Sequence, residues 1–82
     1  MKILVNVTVP AISRQYDILL PESLRIKTIV PLIAETVESL SNRLYVSSGE
    51  ECLCSVEKNI ILRAGSTLRD YGIQSGDHLL LM

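Results

Sequence analysis

His78 is the only histidine and the only side chain whose unperturbed pKa lies near neutrality. Acid–base catalysis at such a group needs a nucleophile or carboxylate held within hydrogen-bond reach. Asp77 is its sequence neighbour, but consecutive residues on a strand point to opposite faces. The chain carries no glycine-rich phosphate loop, no nucleophile motif and no carboxylates paired at a catalytic spacing. His78 therefore reads as a solvent-facing structural residue, and the sequence nominates no catalytic residue and no enzyme activity. Cys52 and Cys54, at i and i+2 on a strand, would share a face about 6.5–7 Å apart, at or beyond the reach of a disulfide. A metal site would need further ligands, and His78 stands at no ligand-like spacing from the cysteines. Both read as buried structural thiols, with no metal and no cofactor. Glu35, Glu38, Glu50 and Glu51 read as solvated helix and loop charges.

These groups must be held by a small scaffold. Eighty-two residues suit one domain, spanning residues 1–82, which buries about 60–65% of the surface its unfolded chain exposes. Aromatic residues are 4% of the chain, three tyrosines without Phe or Trp, so Ile, Leu and Val must build the core. Eight basic and nine acidic residues give a net charge of −1. No window gathers the basic ones into a phosphate-binding stripe, which argues against nucleic acid as a partner. Met1–Pro10 is apolar, yet Asn6 and Thr8 interrupt it and no small-residue cleavage site follows, so it does not read as a signal peptide. It also falls short of the ~20 apolar residues of a membrane span. The expected compartment is the cytoplasm, where thiols stay reduced.

Ile3, Val5, Val7 and Val9 alternate with Lys2, Leu4, Asn6 and Thr8, the period of a strand with one face in the core. After a short turn, Tyr16, Ile18 and Leu20 alternate with Gln15, Asp17 and Leu19, giving an antiparallel hairpin stopped by Pro21. From Ile26 the period changes to three and four through Ile29, Val30, Ile33, Val37 and Leu40, the apolar stripe of a helix lying on a sheet. With Thr28 as N-cap, Pro31 falls at the third helical position, where its missing N–H has no partner anyway. This predicts a helix from Lys27 or Thr28 to about Asn42. Residues 43–51 could prolong the helix, form a short strand or pin a loop onto the core. Cys52, Cys54 and Val56 then alternate with Leu53 and Ser55 as a third strand, and Ile60-Ile61-Leu62 makes a short fourth. A helical turn over 67–73, with Gly72 suited to a positive φ, leads to a final strand from His78 to Met82. Strands interrupted by one long helix argue an α+β fold.

The order β-β-α-β-β-β resembles the ubiquitin-like β-grasp. Thr67-Leu68-Arg69-Asp70-Tyr71-Gly72-Ile73-Gln74 is similar to ubiquitin's own Thr-Leu-x-Asp-Tyr-x-Ile-Gln stretch. Ile26 to Ile33 with its internal Pro31, the Leu53-Cys54 strand, and Leu68 through Leu81 resemble more closely the YukD/EsaB family of bacterial ubiquitin-like proteins. That resemblance implies a mixed sheet of order 2-1-5-3-4 with one helix on one face. It also implies a cytoplasmic accessory of a type VII (ESX, WXG100) secretion system of Gram-positive bacteria, one that the machinery could recruit to the inner face of the membrane. Ubiquitin-type conjugation and the sulfur-carrier role of other β-grasp proteins need a tail ending in Gly-Gly. Leu79-Leu80-Leu81-Met82 stands here instead, which disfavours both.

In that strand order, inward-facing Ile3, Val5, Val7, Tyr16, Ile18, Leu20, Leu79 and Leu81 leave Leu4, Leu19, Leu80 and Met82 facing outward. Leu53 joins them if Cys52, Cys54 and Val56 point inward, and His78 lies among them. Scattered exposed leucines are ordinary, but several on adjacent strands make one apolar patch and mark a protein contact. The expected partner is a secretion component or a second copy of the chain.

Overall fold

The computed structural model describes residues 1–82. The elements are β1 (Lys2–Val9), β2 (Arg14–Pro21), α1 (Ile26–Leu40), β3 (Leu53–Ser55), β4 (Ile60–Ile61) and β5 (His78–Leu81), with single 3₁₀ turns at Pro10–Ile12 and Arg69–Tyr71. The five strands form one mixed sheet in the order β2-β1-β5-β3-β4, the order anticipated above. Left-handed Ser13 (φ 53°) closes the hairpin, which pairs Ile3 with Leu20, Val5 with Ile18 and Val7 with Tyr16. β5 enters parallel to β1 and antiparallel to β3. The inward valines and isoleucines of β1 meet Ile26, Ile29, Ile33 and Val37 of α1 in one buried cluster that also takes Leu68, Ile73, Leu79 and Leu81. Burial of each such side chain contributes roughly 1.5–3 kcal/mol.

The helix begins three residues earlier than a Thr28 cap would place it. Arg25 is the N-cap and supplies no side-chain cap bond. The first helical N–H groups are taken by distant backbone instead: Ile26 donates to the Ser66 carbonyl at 2.8 Å and Lys27 to that of Ala64 at 3.0 Å. The Arg25 guanidinium adds a 2.7 Å bond to the Gly65 carbonyl. Pro31 therefore lies at the sixth helical position rather than the third. Its missing N–H leaves the Lys27 carbonyl without its i+4 donor. The helix ends at Leu40, slightly before the Asn42 expected. Asn42 (φ 54°) and Arg43 (φ 66°) turn the chain away through two left-handed residues.

Residues 43–51 form neither helix nor strand; they pin a loop onto the core. Half-buried Tyr45 packs against the cluster, and its hydroxyl donates to Glu51 Oε2 at 2.6 Å. The same carboxylate accepts the Ser48 N–H at 2.8 Å and the Gly49 N–H at 3.2 Å, while Glu38 Oε1 accepts the Ser47 N–H at 2.8 Å. Glu38 and Glu51 are thus loop fasteners, which corrects their reading as solvated charges. Partial burial by itself would raise the Glu51 carboxyl, but hydrogen bonds from Tyr45, Ser48 and Ser47 hold it below the usual carboxylate range. Burial and the adjoining Glu51 push the Tyr45 phenol up to about 12.

The Thr67–Asp77 stretch folds for reasons visible in its residue types. Thr67 Oγ1 accepts the Asp70 N–H at 3.1 Å while Asp70 Oδ2 accepts the Thr67 N–H at 3.0 Å, a reciprocal cap of the Arg69–Tyr71 turn. Gly72 leaves that turn at φ 67°, and Asp77 Oδ2 accepts the Gln74 N–H at 3.0 Å. Leu68 and Ile73 drop into the core from either side.

Candidate protein-interaction surface

The sheet face away from α1 has a definite pattern once the registers are known, because residues directly opposite one another share a face. Leu4 lies opposite Leu19 at one end of the hairpin. Leu80 lies between Thr8 of β1 and Cys54 of β3, and Cys54 in turn lies opposite Ile61. Met82 and Cys52 exchange two backbone hydrogen bonds, of 2.6 and 2.9 Å. Leu4 is 47% exposed, Leu19 57%, Met82 58% and Ile61 64%, with Leu80 half-buried.

Leu53 does not belong to this face. It is 1% exposed, lies opposite Leu81, and packs in the core under α1. The phase of β3 is the reverse of the one in which the cysteines point inward: Leu53 and Ser55 are inward, and Cys54 is outward beside Leu80. Leucine has far more apolar surface to bury than cysteine, and that difference sets the phase. Both thiols are free. Cys54 is buried beneath its outer-face neighbours and its thiol pKa is raised by that burial, whereas Cys52 is exposed, against the expectation of two buried thiols.

The outward set also forms two clusters rather than one patch. Cys54, Val56, Ile61, Leu80 and Met82 line a shallow groove of about 320 Å³ at the β4 side. Leu4 and Leu19 stand apart at the other end of the sheet. Between them the register sets Asp17, Asn6 and His78 in a polar row, where the Asn6 amide donates to Asp17 Oδ1 at 3.2 Å. Glu57, from the turn after β3, closes the row: it contacts His78 Nδ1 at 2.6 Å and accepts the His78 backbone N–H at 3.0 Å. Those bonds from His78 hold the Glu57 carboxyl below its ordinary range. Val56 and Ile61 are additions that the sequence reading missed. For Ile61 a signal existed, since two adjacent isoleucines on one strand cannot both face inward. For Glu57 there was none, because its partner lies 21 residues away. The structure brings no three His, Cys, Asp or Glu side chains together as a metal ion would need, and no helix is long and apolar enough to cross a membrane.

The family model of the WXG100 protein secretion system (Wss) protein YukD matches residues 4–81. The chain belongs to the YukD family. This member is structurally similar to the ubiquitin-like domain of EccD5 from Mycobacterium xenopi, with a TM-score of 0.81 at 20% identity over 100% of this chain and 93% of that one. A chain of the ESX-5 inner membrane complex gives a TM-score of 0.80 at 22% identity, covering 99% of this chain but 20% of the other. A ubiquitin-like domain from Arabidopsis thaliana gives 0.74 at 20% identity, over 99% and 76%. At these identities the likenesses establish the ubiquitin-like fold, which the YukD-family chain shares. No curated protein matches it in sequence.

Proposed function

We propose that this YukD-family protein is a non-catalytic, non-conjugated adaptor or regulator of a WXG100-type (type VII, ESX-like) secretion system, acting through its outer sheet face. The carrying observation is the exposed pair of apolar clusters, Leu4 with Leu19 and Leu80 with Met82, Val56 and Ile61, on a ubiquitin-like domain of a secretion family. His78 lies between the clusters and supplies, with Glu57, a polar element for register. Burying each large apolar side chain against a partner is worth roughly 1.5–3 kcal/mol. The occurrence of similar domains in the ESX-5 inner membrane complex and the ESX-3 core complex supports a secretion component as the partner and a cytoplasmic site of action beside the membrane.

The test is affinity capture in the native host with wild type, Leu4→Glu and Leu80→Glu. Secretion components recovered with wild type should be depleted at least about tenfold by Leu80→Glu, one lost apolar contact of that size. Recovery unchanged by both charges sinks the proposal. A mass increment of an adenylate or conjugate on the intact protein would establish a modifier instead, and concentration-dependent sedimentation abolished by Leu80→Glu would make the partner a second copy.

A further inference from the structure

The two edges of the sheet are protected very differently. β4 is two residues long and offers almost no template, whereas β2 runs for eight residues at the other edge without a bulge, its register unbroken from Pro21 to Arg14. Natural edge strands of that length are normally blunted. Glu22 N–H bonds the Met1 carbonyl, so the antiparallel alternation directs Leu20, Ile18, Tyr16 and Arg14 at β1. The N–H and C=O groups of Gln15, Asp17 and Leu19 therefore point outward, and none bonds elsewhere in the chain. Six groups at a two-residue repeat specify an extended backbone as their complement.

α1 sets a mixed flank above this edge, Leu32 and Leu40 with Glu35, Thr36 and Ser39. Lys27, Val30 and Pro31 line a cleft with Cys52 and Leu53, on the β3 side. By the helical period the exposed Leu32, Thr36 and Leu40 lie on the opposite flank, over the β2 side. Alternate side chains of an added strand would rest against that flank and the others beside Asp17. A second copy is the poorer occupant. The self-pairing that uses all three residues sets Asp17 against its own counterpart, and the next register sets each Asp17 against Leu19.

We infer that the β2 edge is a docking site for an extended segment of a partner protein, added as a sixth strand, apolar at the positions facing α1 and basic beside Asp17. This edge adjoins the sheet face of the proposed function, sharing Asp17 and Leu19 with it, but does not rest on that reading, and Leu80→Glu distinguishes the two. The probe is an acetylated, amidated heptapeptide of alternating valine and lysine, with its valine–glutamate counterpart, titrated into the whole protein and followed by amide shifts and hydrogen exchange. The lysine peptide should shift and slow Gln15, Asp17 and Leu19, and the glutamate peptide should bind more weakly. Asp17→Asn should narrow that preference. Asp17→Pro and Gln15→Pro each delete an outward N–H without touching the β1 ladder, and either should weaken binding at least about tenfold. Leu80→Glu should leave binding unchanged. Should Asp17→Pro fail to fold, Gln15→Pro alone decides. Binding undiminished by the proline substitutions, shifts confined to the outer face, or the same amides protected by self-association without peptide would each overturn the inference.

Discussion

Tyr16 packs its ring against the core while its hydroxyl is buried with no hydrogen-bond partner. An unsatisfied buried hydroxyl costs about 1–3 kcal/mol relative to its paired state, so removing it while keeping the ring is favourable. Tyr16→Phe should raise stability by about 0.5–1 kcal/mol in urea unfolding; a comparable loss would show that the hydroxyl is bonded. Glu51 presents the opposite case, a carboxylate with several donors. Its folded pKa is depressed, so its contribution is present above the ordinary glutamate pKa of about 4.3 and disappears as pH falls through the lower folded value. Tyr45 acts at the alkaline end: the unfolded phenol ionises near 10 while the folded one resists to about 12, so stability declines across that interval. Glu51→Gln should flatten the acid limb of a stability–pH curve and Tyr45→Phe the alkaline limb. Limbs identical to wild type would dissociate the loop from both groups.

At the scale of elements, Pro31 decides the character of α1. Its place at the sixth helical position removes one backbone bond, a cost that Pro31→Ala should recover. An increase of about 1–2 kcal/mol is expected after allowing for the greater freedom alanine gives the unfolded chain, and no gain would mean that the Lys27 carbonyl is already well solvated. The helix itself and the hairpin were legible in the sequence, because Ile3 to Val9 and Ile26 to Val37 carry long, clean periods, whereas the strand order came only with the resemblance carried by Thr67–Gln74. The start of α1 was not, since its cap is the backbone of Ala64 and Ser66 rather than a neighbouring side chain. Nor was the phase of β3: three residues contain too little period to orient, and Cys52, Cys54 and Val56 together looked as apolar as Leu53. That single half-period exchanged Leu53 for Cys54 on the outer face. The candidate surface was consequently legible at Leu4, Leu19, Leu80 and Met82, on long or well-paired strands, and illegible at Val56 and Glu57.

The molecule as a whole is joined by the stretch that most resembles ubiquitin. Between Ser66 and Gly76 the backbone bonds Ile26 at the start of α1, Glu22 after β2 and Leu4 of β1, and Leu68 anchors that crossing with its fully buried side chain. Proteins of this size hold about 0.05–0.15 kcal/mol per residue, or about 4–12 kcal/mol in all, and a buried Leu→Ala change typically costs about 2–5 kcal/mol. Leu68→Ala should therefore consume much of the total, and its effect should not stay local. Amides in the first turn of α1, at the end of β2 and at the start of β1 should lose hydrogen-exchange protection together, because one segment closes all three. Leu80→Ala, half-buried on the opposite face, should cost under about 1 kcal/mol and leave that pattern intact. Loss of protection confined to 66–76 in Leu68→Ala would show that the elements hold one another without the crossing. Equal costs for the two substitutions would place Leu80 in the core and remove it from the interaction surface.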